Sequence, residues 1–230
     1  MKAPADRLVR VWDLPLRLFH WLLVIAVAGA WITKETPLEN IDWHMRFGLA
    51  AFFLIVFRLA WGVLGTRTAR FAHFVKAPRK ASAYLKKMLA PKPRLHPSDG
   101  HSPLGGYAVL VLIGTVGLQT LSGIFANDSI MSGGPLSGYV GYKASDALTE
   151  FHEFWFNLII AAIVVHLAAI LFYRLRLKTN LVTPMVTGAR HAGPGDLIPD
   201  TERPSTIKLA VALLIAAVPT AALWMVWSTP

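Results

Sequence analysis

Five stretches of mostly apolar residues, Leu16–Thr33, Trp43–Leu64, Leu104–Phe125, His152–Tyr173 and Ile207–Trp227, take up nearly half of the 230 residues. Each approaches the roughly 20 residues a helix needs to cross about 30 Å of hydrocarbon. The expectation is therefore an all-α membrane protein of five spanning helices. Too little chain is left for a water-soluble domain, so any chemistry belongs inside the bundle or is shared with a partner. With 54% hydrophobic and only 16% charged residues, the composition matches a membrane chain and not a soluble domain.

The absence of cysteine excludes disulfides, thiolate metal sites and covalent attachment of a haem through a Cys-x-x-Cys-His motif. The start of the chain, basic and then apolar with Ala28, Gly29 and Ala30 near its end, has the outline of a secretory signal. Cleavage there would remove His20, so the segment is expected to be retained. The net charge of +10 does not point to nucleic acid, because it is distributed by topology. Lys2, Arg7, Arg10 and Arg17 precede or open the first span, and Arg67, Arg70, Lys76, Arg79, Lys80, Lys86, Lys87, Lys92 and Arg94 fill the connection between spans two and three. Arg174, Arg176, Lys178, Arg190 and Arg203 lie between spans four and five. The other two connections hold only Lys34 and Lys143 among many acids. The positive-inside rule then puts the amino terminus in the cytoplasm and the carboxy terminus in the periplasm.

The long basic connection mixes Phe71-Ala-His-Phe-Val and Tyr84-Leu-Lys-Lys-Met-Leu with cations. That pattern suits either an interfacial helix drawn to anionic membrane lipid or a solvated basic loop. Residues 91–103 are turn-rich, and the stretch from Ser132 to Tyr139 has little helical tendency. The segment from Pro184 to Pro204 reads as a flexible linker, and Pro219 is expected to kink the last span. The chain thus parses into a four-helix core over 1–173, a cytoplasmic linker over 174–206 and a carboxy-terminal spanning helix over 207–230.

Four histidines fall in spans: His20 in the first, His44 at the start of the second, and His152 and His166 in the fourth. An ionisable group at membrane depth is costly and by default marks a functional site. Fourteen residues separate His152 from His166, a rise of about 21 Å, and fourteen steps of about 100° end within roughly 40° of the starting direction. One helix face therefore presents two imidazoles, one toward each membrane surface. Spans one and two run in opposite directions, which puts His20 at the inner depth of His166 and His44 at the outer depth of His152. Two bis-imidazole levels are what a pair of six-coordinate haems requires, one axial nitrogen on either side of each porphyrin. Zinc would gather three or four ligands at one depth, and neither level adds a carboxylate or thiolate. A single histidine could be polar glue between helices; four at matched depths are not explained that way. Arg46, two residues after His44, is a candidate partner for the outer haem's propionates, with Arg17 and Arg58 as inner candidates that could instead snorkel to headgroups.

These residues resemble the prokaryotic di-haem cytochrome b561 family, and within it the b-type subunits of nickel–iron hydrogenases. The resemblance rests on Val11-Trp-Asp-Leu-Pro-Leu-Arg-Leu-Phe-His-Trp, His44-Met-Arg-Phe-Gly, Phe57-Arg-Leu-Ala-Trp-Gly, His101-Ser-Pro-Leu-Gly-Gly and the paired histidines of span four. It implies a bundle in the bacterial cytoplasmic membrane with two b haems, His20 with His166 on the inner one and His44 with His152 on the outer one. It further implies electron exchange between quinone on the inner side and a periplasmic redox protein, such as a c-type cytochrome or a hydrogenase-like subunit, on the outer side. No residue here matches a specific quinone site. Two rival readings are a superoxide:quinone oxidoreductase on the same core, and a haem-free membrane anchor.

Overall fold

A computed structural model describes residues 7–35, 40–91, 100–127, 133–192 and 199–228. The turn-rich stretch around His96, the first part of the 128–139 loop and the middle of the 184–204 linker lie outside the described residues. Five helices are long and apolar enough to cross a membrane: α1 (Leu14–Glu35), α2 (Ile41–Leu64), α5 (Pro103–Phe125), α6 (Tyr142–Arg176) and α8 (Thr206–Ser228). Between them lie the short helices α3 (Phe71–Phe74), α4 (Pro78–Leu89) and α7 (Val182–Thr187), and the strands β1 (Arg7–Arg10) and β2 (Ala189–Ala192). Every long helix exposes large apolar side chains, Val63 at 70% and Val165 at 69% among them. Such a surface is tolerable only against lipid or a partner.

The five spans fall where hydropathy predicts them, with one difference in length. Helix α6 begins at Tyr142 and not at His152. Its first turns, Tyr142-Lys-Ala-Ser-Asp-Ala-Leu-Thr-Glu-Phe, are too polar to register as a span yet include good helix formers. A second difference concerns the stretch expected to be a flexible linker. Its first part folds as α7 and β2, and Gly188 closes α7 in the left-handed conformation (φ 87°) that glycine adopts without steric cost.

The chain divides into two compact units, the first taking residues 1–18, 61–110 and 164–209, the second 19–60, 111–163 and 210–230. In the first unit β1 pairs antiparallel with β2, Arg7 opposite Ala192 and Arg10 opposite Ala189. The Gly188 carbonyl accepts hydrogen bonds from the Val11 and Trp12 amides at 2.8 and 3.1 Å. Thr68 and Thr201, both buried, donate to the Val11 carbonyl. At the start of α1, the Asp13 carboxylate caps the helix by accepting from the Leu16 amide at 2.7 Å. Its second oxygen accepts from Trp61 Nε1 at 3.1 Å and from the Thr66 hydroxyl. Asp13, Trp61 and Thr66 are all buried, so this carboxylate ties the first turn of α1 to the end of α2. The basic connection does form a helix, α4, which starts on Pro78 and rests on the unit through Ala81 and Tyr84. The Tyr84 and Tyr173 hydroxyls are 3.0 Å apart, and Ser102 lies 3.2 Å from the latter. Burial and the Tyr173 phenol hold the Tyr84 hydroxyl above its ordinary pKa, hence neutral.

In the second unit, α5 and α6 run antiparallel and are joined along their lengths. Trp155 Nε1 donates to the Thr115 carbonyl at 2.9 Å, the Gln119 amide to the His152 carbonyl at 3.0 Å, and Ser145 to the Phe125 carbonyl at 2.7 Å. In hydrocarbon such bonds hold helices that apolar contact alone does not. Leu223 of α8 packs with Leu49 of α2 and Ile124 of α5 in a buried cluster.

Replacing Asp13 with alanine removes a helix cap and leaves a buried indole N–H and hydroxyl without their acceptor, a loss of about 2–4 kcal/mol. Thermal unfolding of the detergent-solubilised protein, followed by circular dichroism, is expected to shift to lower temperature for Asp13→Ala and by less for Asp13→Asn. Equal midpoints for both variants and the parent would show that Asp13 anchors nothing.

Candidate functional site

The second unit brings two of the intramembrane histidines together. The His44 and His152 rings lie with centroids 6.2 Å apart and planes 80° from parallel. Each ring is fixed by a backbone carbonyl. His44 comes four residues after Asn40, which caps α2 by accepting from the Trp43 amide at 3.1 Å, and its Nδ1 lies 2.9 Å from the Ala30 carbonyl of α1. His152 Nδ1 lies 2.9 Å from the Gln119 carbonyl and 3.1 Å from the Ser122 hydroxyl of α5. A carbonyl can only accept, so in both rings Nδ1 carries the proton and the lone pair belongs to Nε2. Metal-ligating histidines are oriented by this same arrangement.

The geometry can be tested against a six-coordinate iron. Two Nε2–metal bonds of about 2 Å, plus the half-widths of two imidazoles, would need ring centroids roughly 6 Å apart, and the centroid separation of 6.2 Å meets that requirement of distance. The surroundings also suit a flat group. Gly48, one turn after His44 on the same face of α2, would meet no other atom within 4 Å if it carried a Cβ. Gly123 does the opposite work on α5. A Cβ there would lie 2.7 Å from His152 Cε1, so the missing side chain is what lets the ring settle against the helix. Among the described residues no cluster of three or more His, Asp or Glu side chains could hold a bare metal ion. The donor set, two Nε2 lone pairs and no anionic ligand, fits a metal that brings its own equatorial nitrogens.

His20 belongs to the second unit and His166 to the first. The His20 ring is half-buried, with Trp21 edge-on at 4.9 Å. His166 is half-buried on the same continuous helix as His152.

The three arginines are placed differently from one another. Arg58 is buried to 1% exposure, with its guanidinium 6.0 Å from the ring of Phe19, the residue before His20. A guanidinium does not shed its charge on burial. Arg17 is half-buried beside Gly188, where an added Cβ would meet its Nη1. Two residues along a helix turn the direction by about 200°, and the Arg46 guanidinium stacks 5.0 Å from the Trp43 ring and 6.0 Å from the Trp224 ring. His101, a residue at the mouth of span three, lies within an aromatic group of the first unit, 4.6 Å from Trp12 and 4.4 Å from Phe74.

Sequence reasoning gave no role at the site to Ala30, Gln119, Ser122 or Gly123, and quoted Gly48 only as part of the His44-Met-Arg-Phe-Gly motif. The first two act through backbone carbonyls, which any residue supplies. Gln119, Ser122 and Gly123 share one stretch of an otherwise apolar span, and that local polarity was the available signal.

Comparison with known proteins gives one positive result. A family model described as prokaryotic cytochrome b561 matches residues 11–188. No curated protein and no solved structure matches.

The contact at Gly123 makes a prediction. Gly123→Val places a branched side chain where the His152 ring sits and is expected to remove the His44–His152 site while leaving the helices formed. The expected result is unchanged helical circular dichroism with the haem absorbance of this site lost. An unaltered absorption spectrum would show that the ring is not held there.

Proposed function

The chain belongs to the prokaryotic cytochrome b561 family, and on that premise we propose that it is a di-haem electron carrier of the cytoplasmic membrane, passing electrons between quinone and a periplasmic redox partner. It is a multi-pass membrane protein, and haem b is the cofactor class of its family. The observation that carries the reading is the His44–His152 pair: two imidazoles from separate helices, each with Nδ1 bonded to a carbonyl, at a spacing suited to one iron.

Bound haem b supplies a reversible one-electron couple at its iron. The chain does the rest. His44 and His152 offer Nε2 from α2 and α6, and Ala30 and Gln119 fix their tautomer and raise their basicity through the Nδ1–H bond. Gly48 leaves room beside the imidazole for the macrocycle, and the apolar helices keep water from it. The second haem rests on the sequence argument, in which His20 and His166 share the inner depth, and Arg58 supplies charge beside the segment that bears His20. Arg17 is a further inner cation. The distribution of basic connections supports an amino terminus inside and a carboxy terminus outside, and the family resemblance supports quinone at the cytoplasmic end and the redox partner at the periplasmic end.

Haem content tests the proposal. The purified chain is expected to bind two b haems, measured as the alkaline pyridine complex, with a sharp reduced-minus-oxidised α band. His44→Ala and His152→Ala are each expected to lose about half of it, because an iron with one axial imidazole is no longer held as a low-spin centre. Two haems retained in both variants, or one haem lost only when His20 or His166 is changed, would overturn the assignment of the pair.

A further inference from the structure

Arg46 and the fifth spanning helix line a groove of the second unit distinct from the His44–His152 pair. On the face of α2 turned away from His44, a groove of about 460 Å³ opens between α1, α2 and α8. Its walls are apolar, with Leu22 and Ile25 from α1, Phe47 and Phe53 from α2, and Trp224 from α8. Arg46 is the charged residue in the lining. Its guanidinium lies between Trp43 and Trp224, 5.0 and 6.0 Å from the two ring centres. Among the described residues its contacts of this kind are with these indoles.

An arginine stacked on indoles keeps its charge and leaves the N–H groups around its edge available, in the planar fork that matches a phosphate. Tryptophan is the residue of the membrane–water interface, and Trp43 and Trp224 are both more than 40% exposed. The cation therefore sits where phospholipid phosphates lie, with an apolar channel leading from it along exposed Leu22 and Ile25 into the hydrocarbon zone. Charge at one end, alkane-lined walls along the rest and a volume in the range of small-molecule sites match one occupant. We propose that this groove holds a glycerophospholipid, its phosphate on Arg46 and one acyl chain along α1 and α2. The wall that completes it, Trp224 together with Thr220, comes from α8, which lies beyond the residues matched by the family model. Retaining a lipid beside the His44 helix is thus a role for the fifth span.

The test is native mass spectrometry of the purified holoprotein in mild detergent, before and after delipidation and add-back of phosphatidylglycerol. The parent is expected to retain one phospholipid per chain. Arg46→Gln and Trp224→Ala are each expected to weaken retention about tenfold, the scale of one charge-assisted hydrogen bond, while Trp224→Phe is expected to weaken it less. Haem absorbance is read on the same samples. The proposal is overturned if the parent retains no phospholipid, if all variants retain it equally, if the extracted occupant is a quinone, or if Arg46→Gln removes haem and leaves the phospholipid in place. Loss of lipid with the haem spectrum intact supports it, and that result is independent of whether the electron-carrier reading holds.

Discussion

An imidazole inside a membrane needs somewhere to put its N–H. In water the donor is satisfied at no cost; in hydrocarbon an unmet donor costs several kcal/mol. The site described here depends on how that need is met. His44 gives its Nδ1–H to the Ala30 carbonyl of the preceding span, and His152 gives its own to the Gln119 carbonyl. Both bonds go to the backbones of rigid helices, so each ring has a fixed direction as well as a fixed tautomer. With Nδ1 committed, the lone pair of each ring is on Nε2, and the two ring centroids lie 6.2 Å apart. Helix α5, which has no ligand of its own, does most of the work for His152 by supplying a carbonyl, a hydroxyl and a glycine surface to its ring.

That arrangement holds only if the spans keep their relative heights, and polar contacts within each unit do this. In the second unit, the bonds between α5 and α6 from Thr115–Trp155 to Phe125–Ser145 fix the register that sets Gln119 opposite His152. In the first unit, Asp13 sets where α1 starts and ties that turn to Trp61 and Thr66. Threonines 68 and 201 clamp the strand ahead of it through the Val11 carbonyl. The same sheet takes up Ala189–Ala192 of the connection to α8, whose amides and carbonyls pair with β1.

Much of this was legible in the sequence, for definable reasons. Spans are a matter of length and hydropathy, and all five fall where expected, because lipid imposes one dominant rule on composition. The nearness of His44 to His152 was legible because depth follows from chain direction and helical rise, which do not depend on side-chain packing. Helix α6 was read short because hydropathy sees the membrane and not the helix. Arg46 was singled out by its nearness to His44 along the chain; its stacking on two indoles, one of them from α8, depends on packing between helices and was not legible. The carbonyl partners and the glycine beside His152 were not legible, since which turn of α5 meets α6 is settled by packing between helices. Asp13 was legible in principle: an acid followed by Leu-Pro is a helix start.

The most direct test of the crossed-imidazole site is electron paramagnetic resonance of the oxidised protein at low temperature. Were His44 and His152 to hold one haem iron, each imidazole would donate into the iron π-type orbital perpendicular to its own plane. Rings kept at 80° would then raise two such orbitals nearly equally and give a highly anisotropic ferric centre. The account predicts a low-spin ferric signal with one very large g value, abolished in His152→Ala. A spectrum containing only high-spin iron, or only the rhombic low-spin signal of parallel imidazoles, would contradict it.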